Sequence, residues 1–443
     1  MKNLLIRCVS LLAVILLAAC TQQSTSGDRH GQEFVRIDGQ QFSLAGKPYK
    51  FAGANMWYGA YLGSPGESGD RERLIRELDL LAEHGITNLR ILAVSESSDL
   101  MRGVDPAFIH NPEGDLDPDL LVGLDFVLAE MAKRDMKAVL YLNNFWQWSG
   151  GMSQYVAWFT DSEVFDPDVT GEWNQFMDNS ARFYRIAQAQ ALYRNVIREL
   201  VTRSNSITGT LYSDDPTIMS WQLANEPRPG SDADGRVHFD DFSQWLDETA
   251  GFIKALAPKQ LISTGNEGAM GTLGDADLFE RSHASANIDY LTFHMWIKNW
   301  SWFDVAKPEA TYDSAVTTAM RYLSQHIEIA ERLGKPIVLE EFGVERDQGV
   351  FDHGTAVTYR DRFYATVYDV IEKNSAAGGP FVGSNFWAWG GFGKTNRADY
   401  MWQKGDDFFG DPPQEPQGLN SVFADDTTTL NIIADHVKRL NAQ

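Results

Sequence analysis

Ile337-Val338-Leu339-Glu340-Glu341-Phe342-Gly343 is a short apolar run that ends in two acids, an aromatic ring and a glycine. A run of this length bounded by polar segments reads as a buried strand. Ahead of it, residues 312–333 carry apolar side chains at helical spacing, and residues 357–373 do so behind it. A further apolar run follows at 383–389, so the local unit is strand, helix, strand.

The same alternation extends over the chain. Strands are expected at 49–54, 87–92, 137–142, 218–223, 261–264, 290–294, 337–341 and 383–389. Helices are expected at 71–84, 120–134, 181–204, 239–257, 312–333 and 357–373, with a terminal helix at 429–440; the segment after 261–264 is less clearly helical. Strands separated by long crossovers pair in parallel. Eight of them fit a (β/α)8 TIM barrel, one α/β domain over residues 34–443. A doubly wound sheet would show a glycine-rich phosphate turn after its first strand, and Gly53-Ala54-Asn55-Met56-Trp57-Tyr58-Gly59 is not one. A small hairpin, 34–38 and 41–44 around Gly39, precedes the barrel.

Two insertions leave the C-terminal ends of strands, the face where barrel enzymes build active sites. Residues 143–178 follow the third strand and hold Trp146, Trp148, Trp158 and Trp173. Residues 390–426 follow the eighth and hold Tyr400, Trp402, Phe408 and Phe409. Read as structureless loops, segments of this length are expected to be functional.

Three strands end in an ionisable residue: the fourth in Asn225-Glu226-Pro227-Arg228, the sixth in His294-Met295-Trp296 and the seventh in Glu340-Glu341. Two carboxylates across the mouth of one barrel suit glycoside hydrolysis, in which one protonates the leaving oxygen and the other attacks the anomeric carbon or activates water. Successive residues of a regular strand face opposite ways, so only one of Glu340 and Glu341 is expected to point to the axis.

Asn225-Glu226-Pro227 and Glu341-Phe342-Gly343 resemble glycoside hydrolase family 5, and the resemblance covers essentially the whole mature chain. It implies a retaining mechanism with Glu226 as acid/base and Glu341 as nucleophile, leaving Glu340 as a packed or ion-paired support. It also implies that Arg90 supports the nucleophile, that Asn225 holds the sugar 2-hydroxyl, that His294 lies in the subsite and that Trp387 is a stacking platform. Trp296 stands where the family commonly has Tyr, and its N–H would donate to the nucleophile. Asn143-Asn144 replaces a strand-three His. Asn-Glu-Pro-Arg is similar to the mannan-degrading branch, as are Gly150-Gly151-Met152-Ser153-Gln154-Tyr155 and Gly410-Asp411-Pro412-Pro413. By that likeness Arg228 binds a sugar on the leaving-group side; the plainer reading is a salt bridge at a loop start. Tyr58, Asn144 and Trp148 are expected to touch substrate, with Trp57 as a further platform or a core residue and Trp300 and Trp302 on the leaving-group side.

Composition bounds the partners. With 443 residues, 43% hydrophobic, and 13 Trp, 15 Tyr and 25 Phe, the chain has apolar material for a large core and rings to spare for sugar stacking. Its net charge of −23 repels nucleic acid and anionic polymers, and a neutral mannan-type polysaccharide is acceptable. The scheme calls for no metal or cofactor. His84, His110, His238, His283 and His353 show no ligand spacing, and neither Asp214-Asp215 nor Asp406-Asp407 resembles a calcium loop.

Residues 1–19, basic at Lys2 and Arg7 and apolar from Leu11 to Leu17, read as a signal peptide. Leu17-Ala18-Ala19-Cys20 resembles a bacterial lipobox, which implies cleavage before Cys20 and its lipidation. Thr21, in place of the Asp of inner-membrane retention, favours the outer membrane. Residues 20–33 read as a flexible tether. Cys8 leaves with the leader and Cys20 carries lipid, so no disulfide is expected in the mature domain, and a tethered monomer is the simplest form.

Exo and endo action fit the same carboxylate pair. The aromatic insertions and the anchor favour an exo-acting β-mannosidase that trims oligosaccharides, against an endo-β-1,4-mannanase with an open cleft. A non-catalytic glycan binder and a β-1,4-glucanase are the remaining alternatives. A binder that had lost activity would usually have lost one of the two acids.

Overall fold

The computed structural model describes residues 33–443. The expected leader, the lipidation site Cys20 and all but the last residue of the tether fall outside them.

Eight parallel strands form one sheet: β4 (Phe51–Asn55), β5 (Asn88–Leu92), β6 (Lys137–Tyr141), β7 (Ile218–Gln222), β8 (Leu261–Ser263), β9 (Leu291–Met295), β10 (Ile337–Phe342) and β11 (Phe381–Phe386). The order β8-β7-β6-β5-β4-β11-β10-β9 carries the ladder round from β8 to β9, and the fold is a (β/α)8 barrel. β8 and β9 share no ladder; single backbone bonds join their edges, Asp289 N to Ile262 O at 2.8 Å and His294 N to Glu267 O at 3.1 Å.

The helices form where the sequence supplies a start, a stop and one apolar face. Helix Arg71–Glu83 starts on Asp70, whose carboxylate accepts the N–H of Arg73 at 2.9 Å. Helix Pro118–Ala132 starts on Asp117 with Pro118 in its first turn. The longest, Pro308–Leu333, ends on Gly334 in the left-handed region and buries Tyr312, Ala315, Ala319, Tyr322, Leu323, His326, Ile329 and Ala330, three or four residues apart for the most part. The uncertain segment after β8 holds one short helix, Ala276–His283.

Four expectations are corrected. The hairpin is a three-stranded antiparallel meander, β1 (Arg36–Asp38), β2 (Gln41–Leu44) and β3 (Lys47–Tyr49), so the first barrel strand starts at Phe51. Val35, Phe42 and Leu44 of this segment pack with Phe51, Val139, Met219, Leu261, Val338 and Val382 and stop the N-terminal end of the barrel. The insertion after β6 is not structureless: it contains helices Gly151–Phe159, Pro167–Thr170 and Trp173–Ala181. The eighth barrel strand ends at Phe386; β12 (Trp389–Gly391) then pairs with β13 (Val422–Phe423) and ties the base of the second insertion.

The fourth correction concerns β10. Leu339 is in register with Phe293 and Glu341 with His294, so Glu340 is an extra residue at a bulge. Val338 belongs to the cluster inside the barrel and Leu339 to the core around it. Strict alternation from there would put Glu340 inside and turn Glu341 away. The bulge breaks the alternation, and both carboxylates reach Arg90.

Candidate active site

The ionisable residues expected at the strand ends come together at the C-terminal mouth. Arg90, fully buried on β5, is the hub. Its Nη1 donates to Glu341 Oε1 at 2.6 Å and to Asn55 Oδ1 at 3.1 Å, its Nη2 to Asn225 Oδ1 at 2.7 Å and its Nε to Gln222 Oε1 at 2.7 Å. Four acceptors from three strands or their ends, β4, β7 and β10, fix one planar guanidinium, a task its fork geometry suits.

Glu226 lies just beyond β7 with φ +48°, a left-handed conformation held by its N–H on Gly265 O at 2.9 Å. Gly265 itself has φ +71°, and a Cβ there would press on the carbonyl oxygen of Ala224. This close approach of two strand ends aims the Glu226 side chain into the mouth. Trp146 Nε1 donates to its Oε2 at 2.5 Å, and His294 Nδ1 lies 2.6 Å from its Oε1.

His294 Nδ1 is also 3.3 Å from Glu341 Oε2, and one oxygen from each glutamate and this nitrogen all lie within 4.8 Å of one another. Burial and the nearby Arg90 hold the imidazole well below its ordinary pKa, so it is neutral. Burial raises Glu226, against the pull of Arg228, Trp146, Arg90 and Trp296. Burial and Glu226 hold Glu341 well above its ordinary value, against the pull of Arg90. Two carboxyls this close cannot both ionise cheaply. Glu341 meets the Arg90 guanidinium and Glu226 meets the neutral imidazole, so the two carboxyls stand in different electrostatic settings.

Around the pair is a cavity of about 470 Å³. Trp387 and Trp296 line it at a ring distance of 6.2 Å and 78°, with Trp146, Trp148, Trp173 and Trp300 on other walls. The first insertion adds Gln147 and Asp168, and the second adds Pro412, Gln414 and Glu415. Glu415 is pushed up to about 8 by its enclosure and by Asp411, against Lys298. Arg228 lines the cavity as well, its guanidinium over the Trp146 ring at 5.2 Å and ion-paired with Glu267. Both readings of Arg228 meet here, since it is a salt-bridged residue and a wall of the cavity.

Asn225, Glu226, Arg228, Trp148, Trp296, Glu341 and Trp387 therefore line the cavity as expected. Other expected contacts do not. Tyr58 is buried and donates to Trp389 O at 3.0 Å and Glu77 Oε2 at 3.1 Å, so it is core. Asn144 stands behind the wall, accepting from Asn225 Nδ2 and from the Trp146 N–H, both at 3.1 Å. Arg90 and His294 are fully buried beneath the carboxylates and hold them rather than line the cavity. Trp57 donates to Gly410 O at 2.9 Å inside the core, and Trp302 packs on Trp300 and Tyr322. Trp296 is among the groups that pull on Glu226.

Two groups were missed. Glu267, past the end of β8, is a third buried carboxyl on the cavity. Gly265-Asn266-Glu267 after the fifth strand was its signal, weak because β8 is only three residues long. Trp146 was noted only as an aromatic of the insertion; nothing local in the sequence says that its N–H meets Glu226.

A barrel with a neutral-histidine-linked pair of glutamates at its mouth, walled by indoles, defines a glycoside hydrolase. The chain belongs to glycoside hydrolase family 5: residues 32–443 match the family described as beta-mannosidase-like. It is similar to a family 5 mannosidase from Rhizomucor miehei, with 37% identity, a TM-score of 0.84 and coverage of 93% of this chain and 98% of that one. Mannan endo-1,4-beta-mannosidase 7 of Arabidopsis thaliana is 29% identical over 97% of this chain and 90% of the relative. The endo-1,4-beta-mannanase of Rhizomucor miehei, at 21% identity and a TM-score of 0.68, shares the fold.

Proposed function

We propose that this protein hydrolyses β-1,4-mannosidic bonds with retention, Glu341 attacking the anomeric carbon and Glu226 protonating the leaving oxygen, then deprotonating the water that releases mannose. The observation that carries this is the short distance between the two carboxyls. Oxygens within 4.8 Å leave no room for an inverting water, since retaining pairs stand about 5–5.5 Å apart and inverting pairs about 6.5–9.5 Å. Arg90 keeps Glu341 ionised, and the dry, His294-linked Glu226 keeps its proton until bond cleavage. After the glycosyl-enzyme forms, the charge on Glu341 is gone, Glu226 ionises more readily, and the same contacts suit it as a base.

Mannose is favoured by the family and by the relatives' names. A structure of the Rhizomucor miehei mannosidase holds mannosyl-fructose. Five acids, Asp168, Glu226, Glu267, Glu341 and Glu415, face the cavity with a single arginine, Arg228, a lining that suits a neutral sugar. Both insertions wall the same cavity, which favours capture of a chain end and exo action. The alternative, endo cleavage, is favoured by relatives named as endo-mannosidases. Mannohexaose separates them: mannose as nearly the sole early product supports exo action, and mixed di- and trisaccharides overturn it. Equatorial-to-axial change at the anomeric carbon, read by NMR on the first product, would overturn retention. We further propose lipid attachment at Cys20 and a place in the outer membrane. Incorporation of labelled palmitate, lost in Cys20→Ser, tests the attachment.

A further inference from the structure

Glu340 has no step in this double displacement, yet it is buried directly beneath the glutamate that attacks. Gln222 Nε2 donates to its two oxygens at 2.5 and 2.6 Å, and Arg90 Nε lies 3.7 Å from its Oε2. The same guanidinium holds Glu341 through Nη1 at 2.6 Å. One cation thus carries two carboxylates on two of its edges. The bulge in β10 is what lets adjacent residues of one strand do this.

A carboxylate buried this deeply is costly, and an apolar or amide side chain of similar size would fill the space with less desolvation. What the carboxylate adds is negative charge against Arg90. We propose that Glu340 is a positioning residue that divides the charge of Arg90 with Glu341, keeping Glu341 basic enough to attack and turned up into the cavity. A guanidinium facing Glu341 alone would stabilise its anion in the ground state, where the benefit is lost as the charge passes to the sugar. The groups facing Glu340 are Arg90 from β5, Gln222 from β7 and Tyr290 beside β9, with Glu341 next in the chain; Tyr290 in turn donates to Ser220 Oγ at 3.0 Å or accepts from it. Burial pushes Glu340 up to about 7, so its charge changes inside the working pH range of an assay.

The inference rests on Glu341 being the nucleophile. Glu340→Gln keeps the shape and an acceptor for Gln222 and removes the charge. The assay is hydrolysis of an aryl β-mannoside with a good leaving group, so that protonation by Glu226 does not limit. The expected result is a fall in kcat of about tenfold or more with KM within about twofold, and an acid limb of kcat/KM moved about half a unit or more to lower pH. Glu340→Asp, which keeps a charge, should return the limb to its wild-type position. Wild-type kcat and limb in folded Glu340→Gln overturn the proposal, as does a loss fully explained by fewer folded sites on active-site titration. If Glu340→Gln does not fold, Glu340→Asp decides alone: lowered kcat with the limb in place supports the inference, and wild-type kcat overturns it. Abolished turnover in Glu340→Gln with activity kept in Glu341→Gln overturns the nucleophile assignment as well, so the two failures are distinct.

Discussion

His294 Nδ1 stands 2.6 Å from Glu226 Oε1, and the other ring nitrogen has no hydrogen-bond partner among the described residues. A neutral imidazole meets Glu226 in either state: it accepts at Nδ1 from the carboxylic acid, or, as its Nδ1–H tautomer, donates to the carboxylate. Glu341→Ala should therefore abolish turnover with the fold intact. Glu226→Ala should cost far more on manno-oligosaccharides than on aryl mannosides with good leaving groups, because these need little protonation. Equal losses on both substrates would argue against the acid role.

Trp146→Phe removes the N–H on Glu226 Oε2 and keeps the ring against Phe176, with which it stacks at 5.9 Å and 11°. A donor to the carboxylate lowers the Glu226 pKa, so its loss raises it. The alkaline limb of kcat/KM should move to higher pH by about half a unit to one unit. A limb that stays in place would show that the bond has no hold on the proton.

Arg228→Ala leaves Glu267 buried without its cation and strips the guanidinium from the Trp146 face. Because Arg228 stands on the Glu226 side, kcat/KM on mannotetraose should fall about tenfold while an aryl mannoside changes about threefold or less. Steady-state kinetics on the two substrates checks this, and a uniform loss would place Arg228 in support of the whole site.

Gly265→Ala puts a Cβ against Ala224 O at a positive φ. About 2–4 kcal/mol of stability should be lost, together with most activity, since Gly265 O accepts the Glu226 N–H. Thermal unfolding and kcat are the paired readouts.

Glu96, buried after β5, accepts the N–H of Gly151 at 2.7 Å and so docks the first insertion. Burial raises it from 4.5 to about 8. A folded pKa above the unfolded one means that its contribution is fully present below about pH 4.5 and is lost as pH rises through about 8. Glu96→Gln should flatten the fall in Tm between about pH 5 and pH 9. An unchanged slope would show that other groups carry it.

The barrel was legible because its signal is repeated: eight apolar runs, each followed by an amphipathic stretch, over-determine the fold even where boundaries slip by a few residues. Glu226 was legible from flanking residues that a tight turn demands. The choice of Glu341 was not legible from alternation, which selects Glu340; only the likeness of Glu-Phe-Gly to the family gave it, because a bulge is set by neighbouring strands and leaves no local mark. Tyr58 and Asn144 failed for a related reason. They follow the right strands, but a position after a strand does not tell whether a side chain meets the cavity or the layer behind it. Trp146 and Glu267 reach the site through contacts between residues 80 and 39 apart, which no window of sequence contains.

The missing ladder between β8 and β9 has a mechanical consequence. A hoop cut at one point yields there before it yields elsewhere. The two lips of this cut hold different residues of the cavity: one ends in Glu267, ion-paired with Arg228, and the other in His294, bonded to Glu226. The bond from His294 N to Glu267 O is the clasp between them. Arg228 and Glu226 are thus each braced on one lip of the cut, and that single backbone bond stands between their supports.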